Sequence, residues 1–423
     1  MIFLYTFLIA LFSPFLFLAF VWRFGLRKTL DGLPERLGMG AGPGGKKFAQ
    51  GWIWIHAASV GEVKAAESFL KDLPSRFPGF GRLLTTTTVA GKELAEKSGL
   101  AECVRLAPVD LPFCVSRLLD RWRPRAVVLV ETELWPNWLR GLAARRVPSL
   151  AVNGRVSDRS FPRYRLLRSF WGPLLRTLTR VGAQSAVDGE RFVALGVLPE
   201  RAVVSGNMKY DAPLPDLSRR EAVRAKLGFL PSETVWVCGS THPGEEDILA
   251  DVLIRLRAAG RDVRMILAPR HIDRAAEVGK MLTGKGLPFA FRSTPAIGPA
   301  TVVILDTLGE LAEAYGAASF AFIGGSLIPR GGQNPLEPAR WGVPVLFGPH
   351  MENFREMSDG FLSAGAAVRA ADGQALEREV IVLLEDPGRR ELLGRAAGSY
   401  AAGRRGAVEA NMALLAEILK RPA

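Results

Sequence analysis

The chain opens on an unbroken apolar run. Met1 to Trp22 carries no charged side chain and is rich in Phe, Leu, Ile and Ala. As a helix it would reach about 30 Å, the depth of one hydrocarbon core. The basic residues Arg23, Arg27 and Lys28 follow the run instead of preceding it, and no A-x-A site closes it. That order predicts a retained anchor over 1–22, not a cleaved signal peptide, with the rest of the chain in the cytoplasm. Ser13 and Pro14 also allow a kinked segment that enters one leaflet only. A greasy helix packed in a soluble core is the plain alternative.

Beyond the Gly-rich stretch from Gly40 to Gly45, short apolar runs alternate with amphipathic ones. The apolar runs predict buried parallel strands at 52–57, 82–86, 126–130, 149–152, 180–184 and 202–205. Helical periodicity fills the gaps at 62–73, 111–121 and 138–145. Asp211-Ala-Pro-Leu-Pro-Asp216 is a stiff polar connector. Behind it the alternation restarts, with strands at 235–238, 263–268, 289–291, 302–305, 320–323 and 343–347. Helices are expected at 245–258, 308–315 and 353–363, and a nearly continuous helical pattern runs from Leu376 to Leu419. This βαβ repetition predicts an α/β chain of two Rossmann-like domains with a cleft at the carboxyl ends of their strands. The expected spans are 30–211 and 217–423, the last helix being free to pack back on the first domain. Such a shape is shared by GT-B glycosyltransferases, sugar-nucleotide epimerases and periplasmic binding proteins, so it names no reaction.

Composition narrows the partners. In 423 residues the formal net charge is +13, which suits an anionic membrane, a phosphorylated substrate or nucleic acid. Seven arginines between Arg155 and Arg180 are interleaved with Phe161, Tyr164, Phe170 and Trp171. Behind a membrane anchor, that mixture points to anionic lipid. No nucleic-acid module is recognisable, and none is expected to bind. The three cysteines form no CxxC and the four histidines no zinc pattern, so no zinc site is expected.

Several strand ends carry residues that could do chemistry. Val237 to Glu246 reads as a strand, a Gly239-Ser240-Thr241 turn and a helix start, suited to an anion or to simple capping. Arg270, in Leu267-Ala-Pro-Arg-His271, could grip a phosphate or carboxylate with two parallel bonds, or merely sit in a surface turn. Phe322 to Ala339 places two glycine pairs around a loop, with a helix opening at Asn334. The glycines would let backbone approach a phosphate and Glu337 would grip ribose hydroxyls, while Asn334 and Glu337 also have capping-box spacing. In the first half, Glu131 and Glu133 follow a buried strand. Ser59 and Gly61 occupy a strand-to-helix turn, and Arg155 ends a further strand.

Taken in order, these blocks resemble the Kdo transferase family (3-deoxy-D-manno-octulosonic acid transferases, glycosyltransferase family 30). The resemblance is carried by the apolar anchor, Glu35-Arg-Leu-Gly38, Trp54-Ile-His-Ala-Ala-Ser-Val-Gly-Glu62, Glu131-Thr-Glu-Leu-Trp-Pro-Asn137 and Asn153-Gly-Arg155. Gly206-Asn-Met-Lys-Tyr-Asp211, Gly239-Ser-Thr-His242, Ala268-Pro-Arg-His271 and Gly331-Gly-Gln-Asn-Pro-Leu-Glu-Pro338 complete it. Together they span almost the whole chain.

The resemblance implies a GT-B fold, a CMP-Kdo donor, a lipid A precursor (lipid IVA) as acceptor, and inversion without a metal or other cofactor. It implies a place on the cytoplasmic face of the bacterial inner membrane. It makes Glu35 the general base, a role that spacing alone does not suggest. Lys209, Ser240, Thr241, Arg270, Gly325, Gly332, Gln333, Asn334 and Glu337 become donor-binding candidates. Ser59, Gly61, Glu131 and Arg155 become acceptor-binding candidates. Many relatives carry histidine where this chain has Gln333, which can hydrogen-bond but cannot become cationic. Two alternatives stand beside this reading: another sugar-nucleotide GT-B enzyme or an epimerase, and a non-catalytic membrane-attached nucleotide or lipid binder.

Overall fold

The structure is a computed structural model describing residues 1–40, 42–43, 46–294 and 300–420. Part of the Gly40–Gly45 stretch and the side chains of Arg23 and Lys28 lie outside the described residues. The chain forms two compact units: Met1–Pro213 with Arg404–Ala423, and Leu214–Gly403.

The first unit is built on a seven-stranded sheet in which every pairing is parallel. Its strands are β1 (Gly51–His56), β2 (Phe80–Thr86), β3 (Cys103–Leu106), β4 (Pro124–Val130), β5 (Ser149–Gly154), β6 (Arg180–Ala183) and β7 (Ala202–Val204). Their order is β3-β2-β1-β4-β5-β6-β7. Ala126 to Val130 is fully buried along its whole length, as a strand covered on both faces must be. That double burial is why the central strands read as continuous apolar runs. The edge strand β3 does not: Arg105 interrupts it, alternate residues are half-exposed, and the sequence pattern misses it.

The second unit repeats the plan. It contains β8 (Thr234–Thr241), β9 (Val263–Pro269), β10 (Phe289–Phe291), β11 (Val302–Ile304), β12 (Phe320–Ile323), β13 (Val345–Phe347) and β14 (Ala367–Arg369), all parallel. The order is β10-β11-β9-β8-β12-β13-β14. Strand order therefore reverses between β1 and β4 in the first unit and between β8 and β12 in the second. Ligands bind doubly wound sheets beyond the carboxyl ends of the strands at such points.

Two helix expectations change. The helix expected over 62–73 is two, Val60–Ala65 and Glu67–Arg76. The long tail pattern is three helices, Gly373–Glu385, Pro387–Ala402 and Ala407–Leu419. The last belongs to the first unit, so the second ends at Gly403 and not at 423. Met412, Leu415 and Ile418 join the core that holds Val128 and Leu150. Asp211 fastens the start of this helix, accepting the amide protons of Gly406 (2.6 Å) and Val408 (2.8 Å).

At the amino end, α1 (Ile2–Phe24) is the one helix among the described residues long and apolar enough to cross a membrane. Gly25, at φ 83°, turns the chain into α2 (Leu26–Arg36). A side chain would strain that left-handed conformation.

Candidate functional site

In the first unit, residues converge at two places on the carboxyl edge of the sheet. Glu35 lies in the last turn of α2, beyond the end of β3. Its carboxylate accepts the Lys92 ammonium at 2.9 and 3.0 Å and the Leu106 amide at 2.6 Å, with Arg105 Nε 3.9 Å away. The group is 17% exposed and borders a shallow depression lined by Gly38, Arg105 and Trp122. Lys92 was not singled out in the sequence; it lies 57 residues from Glu35 and only folding brings them together.

The second place is the β1/β4 switch. His56 Nε2 stands 3.3 Å from Glu133, which also accepts the Trp135 indole N–H at 2.8 Å. Glu131 is paired with Lys209 at 3.5 Å. Glu131 and Asn153 both hold positive φ, 59° and 54°, a strained conformation that recurs at binding sites. Asn153 is locked by accepting the Met208 amide at 2.9 Å and by its carbonyl accepting from Gln184. Lys209 thus sits with Glu131 in the first unit. Ser59 caps the helix Val60–Ala65 by accepting the Glu62 amide, and the Glu62 carboxylate reaches back to accept the amide of Ala58, the residue before the cap. Burial, then the charges of Glu133 and Glu131, push the Glu62 carboxyl up to about 8. A Cβ at Gly61 would meet Ser59 at an ordinary 3.7 Å, so local packing does not demand glycine there. Arg155 is half-buried at the end of β5, its carbonyl accepting from the Thr132 hydroxyl.

In the second unit the β8/β12 switch is shaped by a residue that no sequence motif marks. Glu245 is fully buried at the first turn of the helix Glu245–Ala258. It accepts the amides of Gly325 (2.6 Å), Ser326 (2.9 Å), Leu327 (3.0 Å) and His242 (3.1 Å). The Gly325 amide is taken by this carboxylate and is not free to meet a phosphate. The Thr241 hydroxyl is fully buried and donates to Glu246 at 3.1 Å, so it is turned inward.

The glycines still matter for close approach. A Cβ at Gly324 would lie 2.3 Å from the Ser240 carbonyl, and one at Gly332 would lie 2.3 Å from Met351 Sδ. Ser240 holds positive φ, 56°. Around it gather His242, with Gln333 at 3.4 Å and His271 at 6.1 Å between ring centres, and exposed Arg270. Burial and then the charges of Arg330, His271, Arg270 and Arg274 hold the His242 imidazole below its ordinary range. The same positive field would hold an anion. Asn334 accepts the Leu336 amide, and the helix there begins at Leu336, two residues later than expected, with Glu337 in its first turn. His242 and Arg330 were legible only as neighbours of the Gly-rich blocks. Among the described residues no three His, Cys, Asp or Glu side chains are grouped to hold a metal ion.

A family model described as 3-deoxy-D-manno-octulosonic-acid transferase (kdotransferase) matches residues 31–212. The 3-deoxy-D-manno-octulosonic acid transferase of Haemophilus influenzae is 34% identical over 373 residues, 87% of this chain and 87% of that protein. The transferase of the same name from Bordetella pertussis is 34% identical over 379 residues, again 87% of each. A solved glycosyltransferase from Rickettsia africae is 13% identical with a TM-score of 0.61, covering 89% of this chain and all of that one. At that identity the likeness speaks for the fold, which is GT-B. The relatives' identity, sustained over most of both chains, carries the further step: this chain belongs to the 3-deoxy-D-manno-octulosonic acid (Kdo) transferase family.

Proposed function

We propose that the protein transfers Kdo from CMP-Kdo to a hydroxyl of a lipid A precursor, with inversion, at the cytoplasmic face of the inner membrane. The observation that carries the mechanism is the setting of Glu35. Lys92 and the Leu106 amide fix its carboxylate through three of about four lone-pair sites, and the fourth, on Oε1, is met by no hydrogen bond among the described residues, Arg105 Nε standing 3.9 Å from that oxygen. The acceptor hydroxyl would occupy that place. As its oxygen bonds to the anomeric carbon of Kdo, its proton passes to Glu35. The bond from that carbon to the CMP phosphate breaks, and CMP leaves with the electron pair. Attack from the face opposite the leaving group inverts the centre.

The leaving phosphate needs fixed positive groups. Arg270 and Arg330 supply them in the second unit, and the Ser240 turn, Gln333, Asn334 and Glu337 are assigned to the donor's polar groups. Lys209, paired with Glu131 in the first unit, is also assigned to the donor. Glu131, Ser59 and Gly61, at the β1/β4 switch, and Arg155, at the end of β5, are assigned to the acceptor. The chemistry asks for no metal.

The test is purified protein with CMP-Kdo and a lipid A precursor in EDTA, read by the mass of the lipid product. Turnover is expected in EDTA. Glu35→Ala is expected to lose turnover by at least about 10²-fold while keeping donor affinity. Activity that appears only with a divalent metal, or survives in Glu35→Ala, refutes the mechanism.

A further inference from the structure

The α1–α2 pair is held by the same loop of the first unit near its two ends, at Tyr5 and at Arg36. Near its start, the Tyr5 hydroxyl donates to Asp110 Oδ2 at 2.8 Å and the Thr6 hydroxyl donates to Asn137 Oδ1 at 3.1 Å. The Phe3 ring lies 5.3 Å from the Arg140 guanidinium, and the Tyr5 and Phe170 rings are 5.7 Å apart. Asp110 belongs to the rigid frame: it is 2% exposed and also accepts the amides of Asn137 and Trp138 at the start of the helix Pro136–Ala144. Beyond the far end of α1, α2 comes back, and the Arg36 carbonyl accepts the Val109 amide at 2.8 Å. The Arg36 guanidinium also donates to the Thr87 carbonyl at 2.9 Å. Val109 and Asp110 are neighbours, so residues 5 and 36 stand on one loop.

That geometry conflicts with a membrane-spanning α1. From Tyr5 to Phe24 the helix rises about 28 Å, close to one hydrocarbon thickness. If it crossed, Tyr5 would carry Asp110, Asn137 and Arg140 to the far face, while α2 is only about 16 Å long and returns to Val109. A buried polar frame and a strand edge cannot be drawn through lipid.

The sides of α1 agree. Ile2, Tyr5, Ile9, Ser13, Phe17 and Val21 form a half-buried stripe at helical spacing. Phe3, Phe7, Leu11, Phe15, Leu18 and Trp22 form an exposed one, up to 90% at Trp22. Beside the docked end, Leu166 and Leu167 are exposed among the equally exposed Arg163, Arg165 and Arg168. An apolar face bordered by guanidinium groups fits one anionic leaflet.

We propose that α1 lies in the plane of a single leaflet and does not cross the bilayer, so that residue 1 and the first unit share one side. Trp22 and Arg27 then mark the head-group level at its far end. Because α2 carries Glu35 in its last turn, the embedded helix also sets the height of that carboxylate above the lipid. This last clause rests on the transferase reading; the topology does not, so the turnover assay and the topology assay fail separately.

The test uses the full chain in inner membranes of a Gram-negative host. An epitope fused before Met1 is expected to be cut by added protease in inside-out vesicles and protected in spheroplasts. A Phe3→Cys, Arg140→Cys pair is expected to be joined by a short bis-maleimide in intact membranes, read by mass of the linked peptides. An epitope cut only from the periplasmic side overturns the proposal. So does the absence of the 3–140 link in enzyme that is membrane-bound and active.

Discussion

Replacing Glu245 by glutamine tests how the donor side is organised. The change keeps volume and removes half of the acceptors. Oε1 receives the amides of Ser326 and Leu327, and Oε2 those of Gly325 and His242. Glutamine offers one oxygen for one pair and turns an NH2 group toward the other. Two bonds to a charged acceptor are lost, each worth about 1.5–3 kcal/mol, and two buried donors then face a donor. Against this stands relief of a buried charge, since burial pushes the Glu245 carboxyl above its ordinary range. The net cost is about 3 kcal/mol. For a unit of this size that lowers Tm by about 6–12 °C. Calorimetry on the full chain reads it as an earlier transition of the second unit. Because the same amides fix the loop carrying Arg330 and Gln333, CMP-Kdo affinity measured by titration calorimetry should fall by at least about tenfold. An unchanged transition with unchanged donor affinity would refute the idea that this carboxylate holds the glycine loop in shape.

Three further outcomes follow from the same geometry. Arg270→Ala removes a guanidinium from the β8/β12 switch and should raise the donor KM about 10–100-fold with little effect on folding, measured by steady-state kinetics at fixed acceptor. Glu62 is raised from its ordinary 4.5 to about 8, so the folded state holds its proton more tightly than the unfolded chain. Its contribution is complete below about pH 4.5 and fades as pH rises through 8; the Tm of the wild type should therefore fall more between pH 5 and 8 than that of Glu62→Gln, and equal slopes would count against the shift. Asp211→Ala frees two amides at the start of the last helix and should cost about 1–2 kcal/mol in urea denaturation of the first unit.

What local sequence determines here is whatever repeats along the chain. Both sheets are legible because central parallel strands are apolar on both faces, so runs such as Ala126–Val130 and Phe320–Ile323 declare themselves without a partner. The edge strands Cys103–Leu106 and Ala367–Arg369 escape because one neighbour suffices for them and Arg105 and Arg369 are tolerated. The apolar helix at the start is equally plain from composition, yet its relation to the first unit is not: Tyr5 and Asp110 are 105 residues apart, and only packing makes them a pair. Glycine-rich turns marked where the second unit's candidate site lies. They did not say that Glu245, 80 residues earlier than Gly325, had claimed its amide, or that Thr241 faced inward. Glu35 and Lys92 share no motif and meet over 57 residues. Periodicity records burial, which each residue experiences in its own element. Charge pairing and amide capture are agreements between distant elements, and only the folded chain settles them.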